Sequence, residues 1–225
     1  MESGAAMDYA GGMTDGAGLR ERKKLRIRET IAAAAIGMFL RDGFDAVSIT
    51  DIAKAADISR RTLFAYFPTK EDLVLQRFAD HEDEAARTVR ARPAGQEPLE
   101  ALRQAWLGAL RRRDPATGLT NDPQQLAFMR LISTTESLAA RLARYTSRGA
   151  ETLAEALGEA GLDPLTSRLA AVQIIAVQRE LTLMNHARLA DGQSAAARYP
   201  EAVQATDRAF DLLRDGLDGG PAKRR

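Results

Sequence analysis

GFDAVSITDIAKAADISRRTLFAYFPTKEDLV, residues 43–74, is dense in helix starts and stops, and their spacing decides the fold. Gly43 tolerates positive φ and closes the helix before it. Ser48 with Asp51 three residues on has the pattern of a capping box, opening a short second helix from Ile49 to Ala56 that packs through Ile52, Ala53 and Ala56. A tight turn follows around Asp57. Ser59 caps a third helix running to about Phe64, and Pro68 stops the chain before Thr69 and Asp72 start a fourth helix toward Arg90. Upstream, Ile27, Ile31, Ala34, Ala35, Met38 and Phe39 recur at spacings of three and four between Lys24 and Arg41, the stripe of a helix that faces a core.

Two short helices joined by a tight turn and braced by a longer one suit DNA, because a helix enters the major groove only when it is held proud of the body. The third helix meets that requirement. Ile58 and Leu63 face inward, while Ser59, Arg60, Arg61 and Thr62 lie at its exposed N-terminal end. Arg60 and Arg61 carry the donor fork that fits guanine O6 and N7, set against the plainer reading of a solvated basic patch. Ser48, Thr50, Tyr66 and Lys70, with the amides opening the fourth helix, are the candidates for phosphate. Tyr66 has the alternative of a half-buried core aromatic. Arg20, Arg22, Lys23, Lys24 and Arg26 read as a basic arm for backbone or minor-groove contacts, or as ordinary solvated charge.

Outward from this stretch, residues 1–19, rich in Gly, Ala and Met, follow neither the helical nor the strand period and read as a disordered leader. Arg90 to Pro98 reads as a loop. Further helices are expected over Leu99–Arg113, Gln124–Ser133 and residues 135–160, with DPATGLTNDP breaking the chain between the first two and Gly161 closing the third. Asp163 and Pro164 open a helix to about Leu189, and Ser194 or Tyr199 starts the last, ending near Leu217. No segment alternates as a strand, so the chain reads as all-α. Its expected organisation is the leader, a helix-turn-helix domain over 20–70, a larger helical domain over 71–218 joined through the fourth helix, and a flexible tail over 219–225.

Charge agrees with that division. The chain as a whole is at +1, yet Arg20 to Lys70 holds eleven Lys or Arg against six Asp or Glu, so the basic excess sits at one end, where it steers the protein toward a polyanion. The chain has no cysteine, which excludes disulfides, thiolate metal sites and a cysteine nucleophile and suits a reducing cytoplasm. No apolar run reaches the roughly 20 residues of a membrane span, and the start lacks the layout of a secretory signal. HEDE at His81–Glu84 has part of a zinc-binding helix pattern, but Ala85 stands where the second histidine is needed. With two histidines, no GxSxG elbow and no phosphate-binding glycine loop, the sequence offers no catalytic constellation, no metal site and no cofactor site.

Gly43 and Phe44, the xxIAxxA run at Ile52–Ala56 and the TLFxYFxxKEDL stretch from Thr62 to Leu73 together resemble the DNA-binding region of the TetR family of bacterial repressors, over roughly residues 24–75. Asp57 departs from the family's usual turn glycine, and Phe64 from a common tyrosine, which removes one hydroxyl for phosphate. The resemblance implies a repressor that binds a palindromic DNA operator as a homodimer through its last two helices, with a cavity for a small-molecule effector after residue 95. Leu169, Val172, Ala176, Val177, Leu181 and Met184 form one apolar stripe, and Val203, Phe210, Leu213 and Leu217 another, as either the dimer seam or intrachain core. Trp106, Phe128, Met129, Tyr145 and Met184 are candidate pocket residues, with Gln173, Gln178 and Arg179 as polar anchors. Ligand release by a tilt of the fourth helix is the expected mechanism. The alternative is a DNA-binding dimer that senses no ligand and answers to a protein partner.

Overall fold

The computed structural model describes residues 13–216, and its described residues form two compact units, one ending at Val74 and one beginning at Leu75. The first unit is built on α1 (Met13–Asp42), α2 (Ile49–Ala55) and α3 (Arg60–Tyr66). α1 buries Ile31, Ala35 and Phe39, the spine of the periodic stripe, together with Ala32. It ends where Gly43, at φ +90°, returns its amide to the Phe39 carbonyl at 3.0 Å. Phe44 then tucks its ring beside Phe39, centroids 4.9 Å apart. Val47, Ile52, Ala53, Leu63, Phe67, Leu73 and Val74 complete this core. α1 begins inside the stretch expected to be a disordered leader, so residues 13–19 are helical and the basic arm continues the same helix. Residues 1–12 and the expected tail from 219 lie outside the described residues.

The division between the units falls within α4 (Lys70–Asp80). The expectation of one helix to Arg90 is corrected here: α4 stops, residues 81–83 turn, and α5 runs Glu84–Arg90. The cause is tertiary. Glu82 turns its carbonyl against α8 (Glu136–Glu159) at Gly149, where a Cβ would sit 2.8 Å from that oxygen, and the Arg148 guanidinium holds the Glu82 carboxylate at 2.9 Å.

Beyond α5 the second unit continues with α6 (Pro98–Arg112), α7 (Pro123–Thr134), α9 (Pro164–Ala190) and α10 (Ala195–Asp215). Its core runs through Ala86, Val89, Leu102, Leu153, Leu157, Ala171, Ile174 and Phe210, drawing on α5, α6, α8, α9 and α10. A second cluster, Leu110, Leu119, Leu189, Ala195 and Ala202, fills the far end. Arg103 bonds Asp207 at 2.6 Å, clamping α6 to α10, and Arg90 reaches Glu159 at 2.8 Å. Among the described residues the elements are helical, and no helix is long and apolar enough to cross a membrane.

The segment between α6 and α7, read only as a chain break, holds a single 3-10 turn, Pro115–Thr117, docked on α9. Asn185 donates to the Thr117 carbonyl at 2.9 Å and Thr182 to that of Ala116 at 2.9 Å. Arg198, buried, donates to Asn185 Oδ1 at 3.1 Å and so ties α10 into the same network. Gly118 makes this close approach possible: its φ is +71°, and a Cβ there would run into the Thr182 carbonyl oxygen. Gly118→Ala should therefore cost clearly more than the 1–2 kcal/mol of a left-handed alanine alone. Gly192→Ala, at φ +94° with open space around the Cβ, should cost only about that much. Urea unfolding of the two variants checks the ranking.

Candidate nucleic-acid interface

Each element of the helix-turn-helix is fixed by its own cap. Ser48 accepts from the Asp51 amide at 3.1 Å, and Asp51 accepts from the Ser48 amide at 3.1 Å, the reciprocal pair that the sequence pattern predicts. The Ser48 hydroxyl, and after it the Ser48 amide, holds the Asp51 carboxyl below its usual range. α4 opens in the same way, with Thr69 and Asp72 exchanging backbone-to-side-chain bonds at 3.1 and 3.2 Å. At the end of α2 the Ile58 amide reaches the Ala53 carbonyl at 2.9 Å and the Asp57 amide reaches that of Lys54 at 3.2 Å, the two bonds of a Schellman stop. Asp57 takes the left-handed position at φ +52°, which a short polar side chain tolerates better than other non-glycine residues.

α3 then starts from Ser59, whose hydroxyl accepts from the Thr62 amide at 3.0 Å. Leu63, fully buried, pins the helix to the core from one side. Arg60, Arg61, Phe64 and Ala65 lie outward. Arg60 and Arg61 have no hydrogen-bond or ion-pair partner among the described residues, so their donor forks are free to meet another molecule.

The candidate contacts divide into two groups. Thr50, Arg60 and Arg61 are exposed, and Tyr66 is half-buried at the end of α3, part core aromatic and part surface. Ser48, Ser59 and Thr62 are exposed, but their hydroxyls serve the caps, with Ser59 and Thr62 also bonded to each other at 2.8 Å. Each keeps at most part of its bonding capacity for a phosphate. Lys70 departs furthest from its expected place. Its ammonium donates to the Phe44 carbonyl and lies over the rings of Phe44 at 4.4 Å and Phe39 at 5.5 Å. It braces the core rather than reaching outward. Lys23, Lys24 and Arg26 project from α1 into solvent. Phe64 does more than lack a hydroxyl: it is a large apolar side chain 42% exposed beside the two arginines. Its spacing, four from Arg60 and three from Arg61, carried that information.

The candidate effector residues are not brought to one place. Phe128 is buried and stacks on Phe78, centroids 6.4 Å apart, while Tyr145 is buried between the guanidinium groups of Arg141 and Arg148. Met129, Gln178 and Trp106 are partly buried, the last touching both core clusters of the second unit. Met184 is half exposed and Arg179 is exposed beside Glu180 at 3.1 Å. Gln173 is exposed in a surface groove of about 380 Å³ between α9 and α10, shared with Ala176, Val177, Ala209, Leu212, Leu213 and Gly216. Gln173 and Met184 thus stand outside the interior they were assigned to.

Comparison with known proteins agrees with the first unit and with the fold of the whole. The family profile described as bacterial regulatory proteins, tetR family, matches residues 31–76. The transcriptional regulator TcmR of Streptomyces glaucescens is 33% identical over 138 residues, 61% of this chain and 60% of TcmR. The transcriptional repressor KstR of Mycolicibacterium smegmatis is 32% identical over 111 residues, 49% of this chain and 52% of KstR. The chain thus spans little more than half the length of these relatives, both regulators by name and not enzymes. The crystal structure of NalD, the secondary repressor of the MexAB-OprM efflux pump in Pseudomonas aeruginosa, has the same fold with a TM-score of 0.55 at 18% identity, over 82% of this chain and 96% of NalD. A capped helix-turn-helix whose Arg60 and Arg61 have no partner among the described residues thus coincides with the stretch that matches the tetR family profile, and the chain as a whole shares the helical fold of NalD.

Proposed function

We propose that this regulator is a cytoplasmic repressor that binds a palindromic operator as a homodimer and is released by a small-molecule effector. The DNA part rests on Arg60 and Arg61, exposed and without partners among the described residues at the start of a capped helix whose other side is locked into the core. Two copies of such a helix read two half-sites about one helical turn apart, or a multiple of that.

Dimerisation is supported by α9. Ser167, Ala171, Ile174, Leu181, Asn185 and Leu189 are buried along one side. Leu165, Leu169, Val172 and Met184, between 50% and 67% exposed, lie along the other. A helix apolar on both sides is stable in water only when both are covered. Leu212 and the groove beside it extend that face onto α10. Of the two predicted stripes, Leu181 and Phe210 belong to intrachain core, whereas Leu169, Val172, Ala176 and Met184 make the seam; Leu217 lies outside the described residues.

The effector is supported by two buried polar atoms of the second unit. Trp106 Nε1 and Gln76 Oε1 have no hydrogen-bond partner among the described residues. A buried donor or acceptor left so is costly, and a polar ligand that reached it would satisfy it. The filled surroundings of Phe128 and Tyr145 favour the other reading, a DNA-binding dimer answering to a protein partner. Thermal shift with a metabolite library decides between them: stabilisation that Trp106→Phe abolishes supports the effector.

Arg60→Ala and Arg61→Ala should each lower affinity for a duplex selected from random DNA by about 5- to 150-fold, with an unchanged melting temperature, and the parent's affinity should fall steeply with salt. Unchanged titrations for both variants in a mobility-shift assay would refute the reading helix. Replacing Leu169 and Val172 together by Glu should give monomers in light scattering and weaken operator binding by at least tenfold, while circular dichroism stays helical.

A further inference from the structure

We infer that Phe64 reads the 5-methyl group of a thymine, so that this protein distinguishes T from other bases through an apolar contact as well as through its arginines. The inference rests on the DNA-binding reading above and names what one more side chain of that surface recognises. Phe64 follows Arg60 by four residues and Arg61 by three, so at 3.6 residues per turn it lies between them around α3, one turn further along. It is 42% exposed, the large apolar exception on a helix whose buried side is already supplied by Leu63. Its ring is not needed for the core of the first unit, which is closed by Phe39, Phe44 and Phe67. A phenyl ring flanked by two free guanidinium groups has a restricted choice of partner on a duplex. The base edges of the major groove are hydrogen-bond donors and acceptors except at thymine, whose methyl group is the apolar feature there. Arg60 and Arg61 are suited to guanine on either side of it.

Uracil lacks only that methyl group, which makes the contact separable from every other. The full-length protein is used to select a duplex from random DNA, and each thymine is then replaced singly by deoxyuridine in a mobility-shift titration. One thymine in each half-site should lose about fourfold in affinity on replacement, the value of one buried methyl-sized group. Phe64→Ala should bind the thymine duplex more weakly and show no further loss with deoxyuridine. Placing 5-methylcytosine instead of cytosine at that position should help the parent and not the variant. The inference is overturned if the parent is indifferent to every single replacement, or if Phe64→Ala keeps the same deoxyuridine penalty. It is also overturned if Phe64→Ala weakens thymine and deoxyuridine duplexes alike, the result expected of a ring resting on sugar and phosphate. Failure to select any duplex would defeat the DNA-binding reading itself, an outcome distinct from these.

Discussion

A helix of seven residues such as α3 cannot hold itself together in water, and the rest of the first unit follows from that constraint. Nucleation alone costs more than so short a helix returns, so α3 exists because Leu63 is fully buried and because Ser59 satisfies its first turn. The Schellman stop at Asp57 sets where α3 starts, and Phe67, buried beneath the Arg28 guanidinium at 5.5 Å, anchors the chain where α3 ends. The price of this arrangement is paid in hydroxyls. Ser48, Ser59 and Thr62 are committed to holding the helices, while Arg60 and Arg61, without partners among the described residues, face outward.

Lys70 shows how the same residue type serves opposite ends. An ammonium at the start of α4 is in reach of solvent, yet it turns toward the Phe44 carbonyl and two aromatic faces. A carbonyl just after the turn at Gly43 needs a donor, and the rings on either side give the charge a favourable surface. The basic excess of the first unit is therefore not one uniform patch. Some of it is internal bracing, and the part that can attract DNA lies on α1 and α3.

The sequence made the first unit legible because its signals are local: a capping box needs residues three apart, a stripe needs one helix, and a left-handed turn needs one tolerant residue. The same local logic placed α6 to α10 within a residue or two. It failed where a distant partner decides. Nothing near His81 announces that α4 must stop, since the cause is Gly149, far along the chain, which admits the Glu82 carbonyl. The turn at Pro115–Thr117 is likewise set by Asn185 and Thr182. The effector residues fared worst, because an aromatic at helical spacing has the same signature whether it lines a cavity or fills a core, and Phe128 and Tyr145 fill one.

α9 carries the sharpest consequence of that ambiguity. Its apolar residues were gathered into a single stripe, but burial sorts them onto two sides, Leu181 with the core and Leu169, Val172 and Met184 away from it. The inner side is what the fold requires, and the outer side is what a second copy would cover. On the proposed reading an effector acts through the inner side, and it can lower operator affinity only if it binds better to the arrangement that DNA rejects. The buried network of Asn185, Arg198 and Thr117 stiffens one end of α9 and opposes any change that leaves its polar atoms unpaired. An effector seated near Trp106 must therefore do its work on the half of the bundle that is held by apolar packing, where α5, α6 and α8 meet, because there a shift forfeits contacts gradually rather than stranding a buried charge.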